Sequence, residues 1–185
     1  MRAWMAGLIL CIGAILATAL PAAQDDPRLD DLFAELQALD KRRDDRARLL
    51  QAQIWQIWFE HEDPAVTRIM GTGLDALASS RHEAAIEAFT RVIERAPQYA
   101  EAWNRRATTY YLVDRYRDSL EDIDRVLELE PRHFGALAGR GLCLKALGRT
   151  AAAIDAFERA LEVNPHMDRV YIELLRLRAR PGTET

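Results

Sequence analysis

Few side chains in this sequence stand at spacings that chemistry requires. His61-Glu62 and His82-Glu83 each begin like a zinc-protease helix, but the positions that need a second imidazole hold Ala65 and Ile86. The cysteines, Cys11 and Cys143, form no cluster, so a thiolate metal site is not expected. Cys143 lies between Leu142 and Leu144 in an apolar stretch, where a packed thiol is expected and a nucleophile is not. Gly71-Thr72-Gly73-Leu74-Asp75-Ala76 fits the nucleotide-binding pattern Gly-x-Gly-x-x-Gly/Ala. That pattern works only between a strand and a helix, and here it falls inside a helical pattern. His61, His82, His133 and His166 sit near expected helix ends, where a capping or solvated imidazole is the ordinary role. The sequence therefore predicts no catalytic, cofactor-binding or metal-binding residue, no cofactor and no enzyme.

Charge excludes a further class. The net charge of −4 is spread without long like-charged blocks, and Arg42-Arg43 and Arg105-Arg106 are too small for a phosphate-binding patch. Nucleic acid is not an expected partner. Residues 1–23 read as an export signal: Arg2, then an uncharged and largely apolar run from Met5 to Leu20, then Pro21-Ala22-Ala23. The run is short of the roughly 20 residues that span a bilayer. A periplasmic location in a bacterium is expected, with an uncleaved inner-membrane anchor as the alternative. Removal of the signal leaves Cys143 as the lone thiol, so packing alone must hold the fold.

The elements that position these residues repeat. Pro97, Pro131 and Pro165 stand 34 residues apart, and a whole pattern travels with them. Gly73, Ala107 and Gly141 share a register, as do Ala85, Ser119 and Ala153, and Phe89, Ile123 and Phe157. Such a period, with small and aromatic residues in set places, predicts helix–turn–helix units stacked into an all-α solenoid. Ser79-Ser80-Arg81, Asp114-Arg115 and Gly148-Arg149 supply the turns within units. Glu87 with Arg91, Glu121 with Arg125 and Asp155 with Arg159 predict a solvated charge ladder at four-residue spacing.

These residues resemble the tetratricopeptide repeat, over about Val66 to His166. The division read from this is an export signal (1–23), an N-terminal helical pair (24–65), three repeats (66–99, 100–133, 134–167), a capping helix to residue 180, and a fraying tail (181–185). The pair carries Leu29, Leu32, Phe33, Leu36 and Leu39, then Ala47, Leu50, Ile54, Ile57 and Trp58, at helical spacing, and reads as a decayed repeat acting as a cap. In the capping helix Val170, Tyr171, Leu174 and Leu177 are the expected buried side. Leu29-Asp30-Asp31-Leu32-Phe33, Ile54-Trp55-Gln56-Ile57-Trp58 and Trp103-Asn104-Arg105-Arg106-Ala107-Thr108 also resemble exported repeat proteins of alphaproteobacteria.

The resemblance implies that the first helix of each repeat lines a concave groove that grips a protein or peptide. Transferred by register, the groove comprises Met70, Leu74 and Leu77 with Thr67, then Asn104, Thr108 and Tyr111 with Glu101, then Leu142 and Lys145 with Gly135 and Ala138. Met70 and Leu74 replace the basic and amide residues that a carboxylate clamp requires, so a hydrophobic segment is the expected ligand. The chain's own N-terminal helices covering Met70, Leu74 and Leu77 is the competing expectation. A self-associating subunit of an envelope assembly is the alternative function.

Overall fold

The structure is a computed structural model that describes residues 23–40 and 44–179. Residues 1–22 of the expected export segment, residues 41–43 and the tail lie outside the described residues. A short 3-10 turn at Ala23–Asp25 leads into α1 (Arg28–Ala38) and α2 (Asp44–Phe59). Three helix hairpins follow: α3 (Pro64–Ala78) with α4 (His82–Arg95), α5 (Ala100–Leu112) with α6 (Tyr116–Leu129), and α7 (Phe134–Ala146) with α8 (Thr150–Val163). Helix α9 (Asp168–Arg178) ends the described chain. Helices α3 to α9 stack in sequence order, and the fold is an all-α solenoid.

Each hairpin turns by the same device. Ser80, Asp114 and Gly148 occupy one register and have φ of 56°, 59° and 73°. This left-handed residue lets the next backbone N–H reach back to a carbonyl five residues earlier. Arg81 donates to Ala76, Arg115 to Tyr110 and Arg149 to Leu144, at 2.8, 2.9 and 2.9 Å. Helix ends are thereby satisfied and the second helix is aimed back along the first.

Contact within the hairpins explains the small residues. A Cβ on Gly73 would lie 2.5 Å from Cε1 of Phe89, and one on Gly141 would lie 2.3 Å from Cε1 of Phe157. In the middle repeat the pair is exchanged for Ala107 with Ile123, both buried in one core. A larger first-helix residue thus accompanies a smaller second-helix one. Phe157 is fully buried in a core with Val170, Leu174 and Leu177 of α9.

Three sequence expectations differ from the structure. Arg125 pairs with Glu128 and reaches Gln98 instead of Glu121, so the ladder at four-residue spacing does not form there. The shorter spacing along the helix and a neighbour across the turn offer better geometry. Tyr171 is 49% exposed rather than buried, together with Ile172 and Leu175. Its register matches Trp103 and Leu137, which meet the second helix of their own hairpin, and no described helix plays that part for α9. Finally, the N-terminal pair does not extend the stack in front of α3. Leu29, Phe33, Leu36, Leu50, Ile54 and Trp58 bury against Phe134, Val163 and Met167, so α1 and α2 fold back along the loops that join one repeat to the next.

Candidate functional site

Helix α5 carries the first polar cluster of the concave side. Glu101 is buried, although carboxylates seldom are. One oxygen accepts from Arg105 Nε at 2.5 Å, and the other accepts from Asn104 Nδ2 at 3.0 Å and lies 3.2 Å from His133 Nε2. His133 caps α7: its Nδ1 accepts from the Ala136 N–H at 3.1 Å. A ring nitrogen that accepts cannot carry the proton, so in the neutral imidazole the proton sits on Nε2, facing Glu101. The pair has the composition of an acid–base dyad without its access. Trp58 stacks on the His133 ring at 4.1 Å and 10°, and neither side chain of the pair has any solvent exposure. The arrangement orients α5, α7 and α2; it cannot meet a substrate.

The same stack builds a wall along one edge of the concave face. Trp55 meets the His133 and Phe134 rings edge-on, at 5.3 and 5.5 Å. A Cβ on Gly135 would come within 2.8 Å of the Trp55 ring, so only glycine admits this approach. Arg105 lies over the Phe59 ring at 4.7 Å and the Trp55 ring at 5.4 Å. Polar ties run the length of the wall. Tyr99 Oη donates to the Phe59 carbonyl at 3.0 Å, Arg132 pairs with Asp30 at 2.6 Å, and Gln37 donates to the Val163 carbonyl at 3.3 Å. Glu101 and Gly135 are therefore covered by the chain itself.

The remaining groove positions separate into interior and surface. Met70 and Asn104 are buried, 4% and 5% exposed. Met70 shares a core with Val92, Ile93, Tyr99 and Ala102, because its register turns it toward the next hairpin; it serves the stacking of repeats. Leu74 and Leu77 are half-buried on that same core, and α1 and α2 do not pack on them. The expectation that the N-terminal helices cover Met70, Leu74 and Leu77 is corrected: they cover Glu101 and Gly135 instead. Thr108 is exposed, Tyr111 is half-buried beside Tyr116, and Leu142 is half-buried on the α8–α9 core. Leu112, one turn beyond Thr108 on the same face, is 51% exposed, and the sequence reading did not include it. Its register partners are Ala78 and Ala146, so an uncompensated leucine at that position was the available signal.

Polar groups around this surface already have partners. Lys145 pairs with Glu173 of α9, and Arg176 holds the other oxygen of Glu173 at 2.7 Å. Thr108 Oγ1 donates to the Asn104 carbonyl at 2.9 Å. Arg106 holds Asp122 in a bidentate pair at 2.8 Å between α5 and α6. The open surface is apolar in its available chemistry.

Other chemical candidates resolve into structure. Gly71 to Ala76 lies within α3, with Gly73 against Phe89. Cys143 is buried 3.3 Å from Ser119 Oγ, and burial pushes its thiol up, away from the reactive thiolate. Among the described residues no group of His, Cys, Asp and Glu could hold a metal ion, and no helix is long and apolar enough to cross a membrane.

Comparison with known proteins agrees with the repeat geometry. Two family profiles, each described as tetratricopeptide repeat, match residues 135–167 and 70–112. A TPR repeat-containing protein of Rhizobium etli is 36% identical over 92 residues, which is 50% of this chain and 44% of the relative. The chain thus spans under half the length of the curated relative it matches. Among solved structures, the TPR domain of Arabidopsis OM64 superposes with a TM-score of 0.60 at 20% identity, over 62% of this chain and 94% of that one. The Sgt2 TPR domain of Aspergillus fumigatus gives 0.60 at 20%, over 66% and 89%. The second TPR domain of human RPAP3 gives 0.58 at 24%, over 62% and 99%. From its register, its repeated hairpin geometry and these matches, residues 70–112 and 135–167 of the chain are tetratricopeptide repeats.

Proposed function

We propose that this protein is a non-enzymatic scaffold that holds an apolar protein or peptide segment on its concave face. The observation that carries this reading is Leu112 at 51% exposure one turn from exposed Thr108 on α5, with half-buried Tyr111 on the same helix and half-buried Leu74 and Leu142 at the register of Thr108 on α3 and α7. Extended concave surfaces are how stacked repeats bind. The human RPAP3 domain was solved with the HSP70 peptide SGPTIEEVD, and another RPAP3 domain with the HSP90 peptide SRMEEVD. This groove differs from an acidic-tail receptor in its charge: Lys145 and Arg105 are already neutralised by Glu173 and Glu101. A hydrophobic helix or strand fits it better than a carboxylate. Arg2, the Met5–Leu20 run and the small residues after it support export, so the partner is an envelope protein.

Capture by the purified protein tests the groove. Leu112→Asp and Thr108→Arg change exposed positions, so both should melt like the wild type and lose the partner. Glu87→Ala, on the exposed side of α4, should keep it. Capture unchanged in both groove variants sinks the proposal. Intact mass of the envelope fraction tests export, with a full-length inner-membrane protein as the contrary outcome.

A further inference from the structure

A cavity of about 750 Å³ opens between the N-terminal pair and the stack, at the opposite end of α5 from Leu112. Small-ligand sites enclose about 300–1,000 Å³, with apolar walls and a few polar groups left open to the ligand. One wall comes from Pro27 and from Phe59 at the end of α2. The other comes from Pro97 and Tyr99, in the loop between α4 and α5. Tyr99 Oη donates to the Phe59 carbonyl at 3.0 Å, and the His61 ring meets the Tyr99 ring edge-on at 4.9 Å. Gln24 Nε2 donates to the Gln98 carbonyl at 2.8 Å and ties the first turn to the same loop. The two walls are therefore held in a fixed relation, with the space between them preformed.

We propose that this cavity binds the free N-terminus of a short peptide whose first side chain is apolar. Three consecutive residues on its rim specify that chemistry. Glu62 makes no hydrogen bond or ion pair among the described residues. Glu60 gives only Oε2 to Arg28, at 2.7 Å, and keeps Oε1 for a ligand. Arg95, which also lines the cavity, is committed to Asp63 at 2.6 Å. Asp26, Glu60, Glu62 and Asp63 thus outnumber Arg28 and Arg95, and the opening attracts a cation. Between the two glutamates stands a donor. His61 Nδ1 accepts from the Asp63 N–H at 3.1 Å, so the neutral ring carries its proton on Nε2, which has no partner among the described residues. Burial holds this imidazole below its ordinary value of 6.5, against the opposing pull of Asp63 and Glu62, so it stays neutral. A peptide N-terminus presents an ammonium, a carbonyl oxygen and a side chain around one carbon. The ammonium suits Glu60 and Glu62, the carbonyl suits His61 Nε2–H, and the side chain suits Phe59 and Pro97. A simple amine lacks the acceptor, and a blocked peptide lacks the cation.

Calorimetric titration of the purified protein with leucyl-leucine amide tests this, beside the N-acetyl form of the same compound. The acetyl form keeps the carbonyl and the side chains and lacks the ammonium. The free amine should bind saturably with a dissociation constant at or below about 1 mM, and the acetyl form at least about tenfold more weakly. Glu62→Gln alters an exposed side chain without a partner, so it should melt like the wild type. It should weaken the free amine at least about tenfold and leave the acetyl form unchanged. Leu112→Asp, in the groove, should bind both compounds as the wild type does. Absence of saturable binding by the free amine overturns the proposal, including the case in which the chain's own residues ahead of Ala23 fill the cavity. Equal binding of the two compounds, indifference of the free amine to Glu62→Gln, or its loss in Leu112→Asp overturns it equally.

Discussion

Gly141 and Phe157 interlock so closely that a single added methyl would sit 2.3 Å from the ring, and Phe157 itself is fully buried. The phenylalanine has α9 behind it and cannot retreat. Gly141→Ala should therefore destabilise the protein by roughly 1–3 kcal/mol, as overpacked cores do. Gly71→Ala is the control. It lies mid-helix in α3 with nothing within 4 Å of its would-be Cβ, and should stabilise by about 1 kcal/mol through helix propensity. Because the middle repeat combines Ala107 with Ile123, Gly141→Ala with Phe157→Ile should cost less than the two single changes summed. Denaturant melts of the four variants check this.

The hairpin turns carry strain that glycine would relieve. Ser80 holds φ of 56° where Gly148 holds 73° at the equivalent place. A left-handed non-glycine residue costs about 1–2 kcal/mol, and glycine gives back about 0.5–1 through unfolded-chain freedom. Ser80→Gly should raise the melting temperature slightly, and Gly148→Ala should lower it. Asp114→Gly should gain less than Ser80→Gly, because the Asp114 carboxylate accepts from Tyr116 Oη.

Asp63 should make stability fall in acid. Its carboxylate accepts from the Ala65 N–H at 2.8 Å as the cap of α3 and from Arg95 at 2.6 Å, which together hold its carboxyl below the ordinary aspartate value of 3.8. A depressed folded value means that the contribution is present above the unfolded value and is lost as pH falls through the folded one. Asp63→Asn keeps a capping oxygen and loses the charge. Its melting temperature should lie below the wild type at about pH 6 and converge with it toward about pH 2. A constant gap across that range would contradict the assignment.

Trp58 should hold the N-terminal pair in place. It is 2% exposed, stacked on His133 and packed with Phe33 and Phe134. Trp58→Ala should cost roughly 3–5 kcal/mol in the docking of α1 and α2. Limited proteolysis should then cut within those helices while α3 to α9 stay intact. Uniform unfolding of the whole chain would show instead that the wall and the solenoid are one cooperative unit.

How much of this was legible in the sequence depended on whether local rules governed it. The 34-residue register gave the hairpins, and the helical spacing of Ala47, Leu50, Ile54, Ile57 and Trp58 gave a side of α2 that is indeed buried. Neither gave the place where α2 docks, because that rests on non-local fits such as Trp55 over Gly135. Met70 read as a groove residue since a first-helix register fixes direction but not how far the next hairpin leans over it. His133 read as a capping or solvated imidazole; it caps α7 but is not solvated, and its burial against Glu101 and Trp58 depended on partners far away in sequence. Tyr171 read as part of the buried side of the capping helix, and it is 49% exposed because no described helix follows α9 as the second member of a hairpin.

Site-specific photo-crosslinking in cells tests the binding role most directly. A photoreactive side chain is placed at Leu112 or Leu142 in the groove, and at Glu87 or Asp155 on exposed second-helix positions. The expected result is a discrete adduct from the groove positions, absent from the outer ones and lost when Thr108→Arg is added. Adducts from Glu87 or Asp155 alone, or groove adducts indifferent to Thr108→Arg, would contradict binding on the concave face.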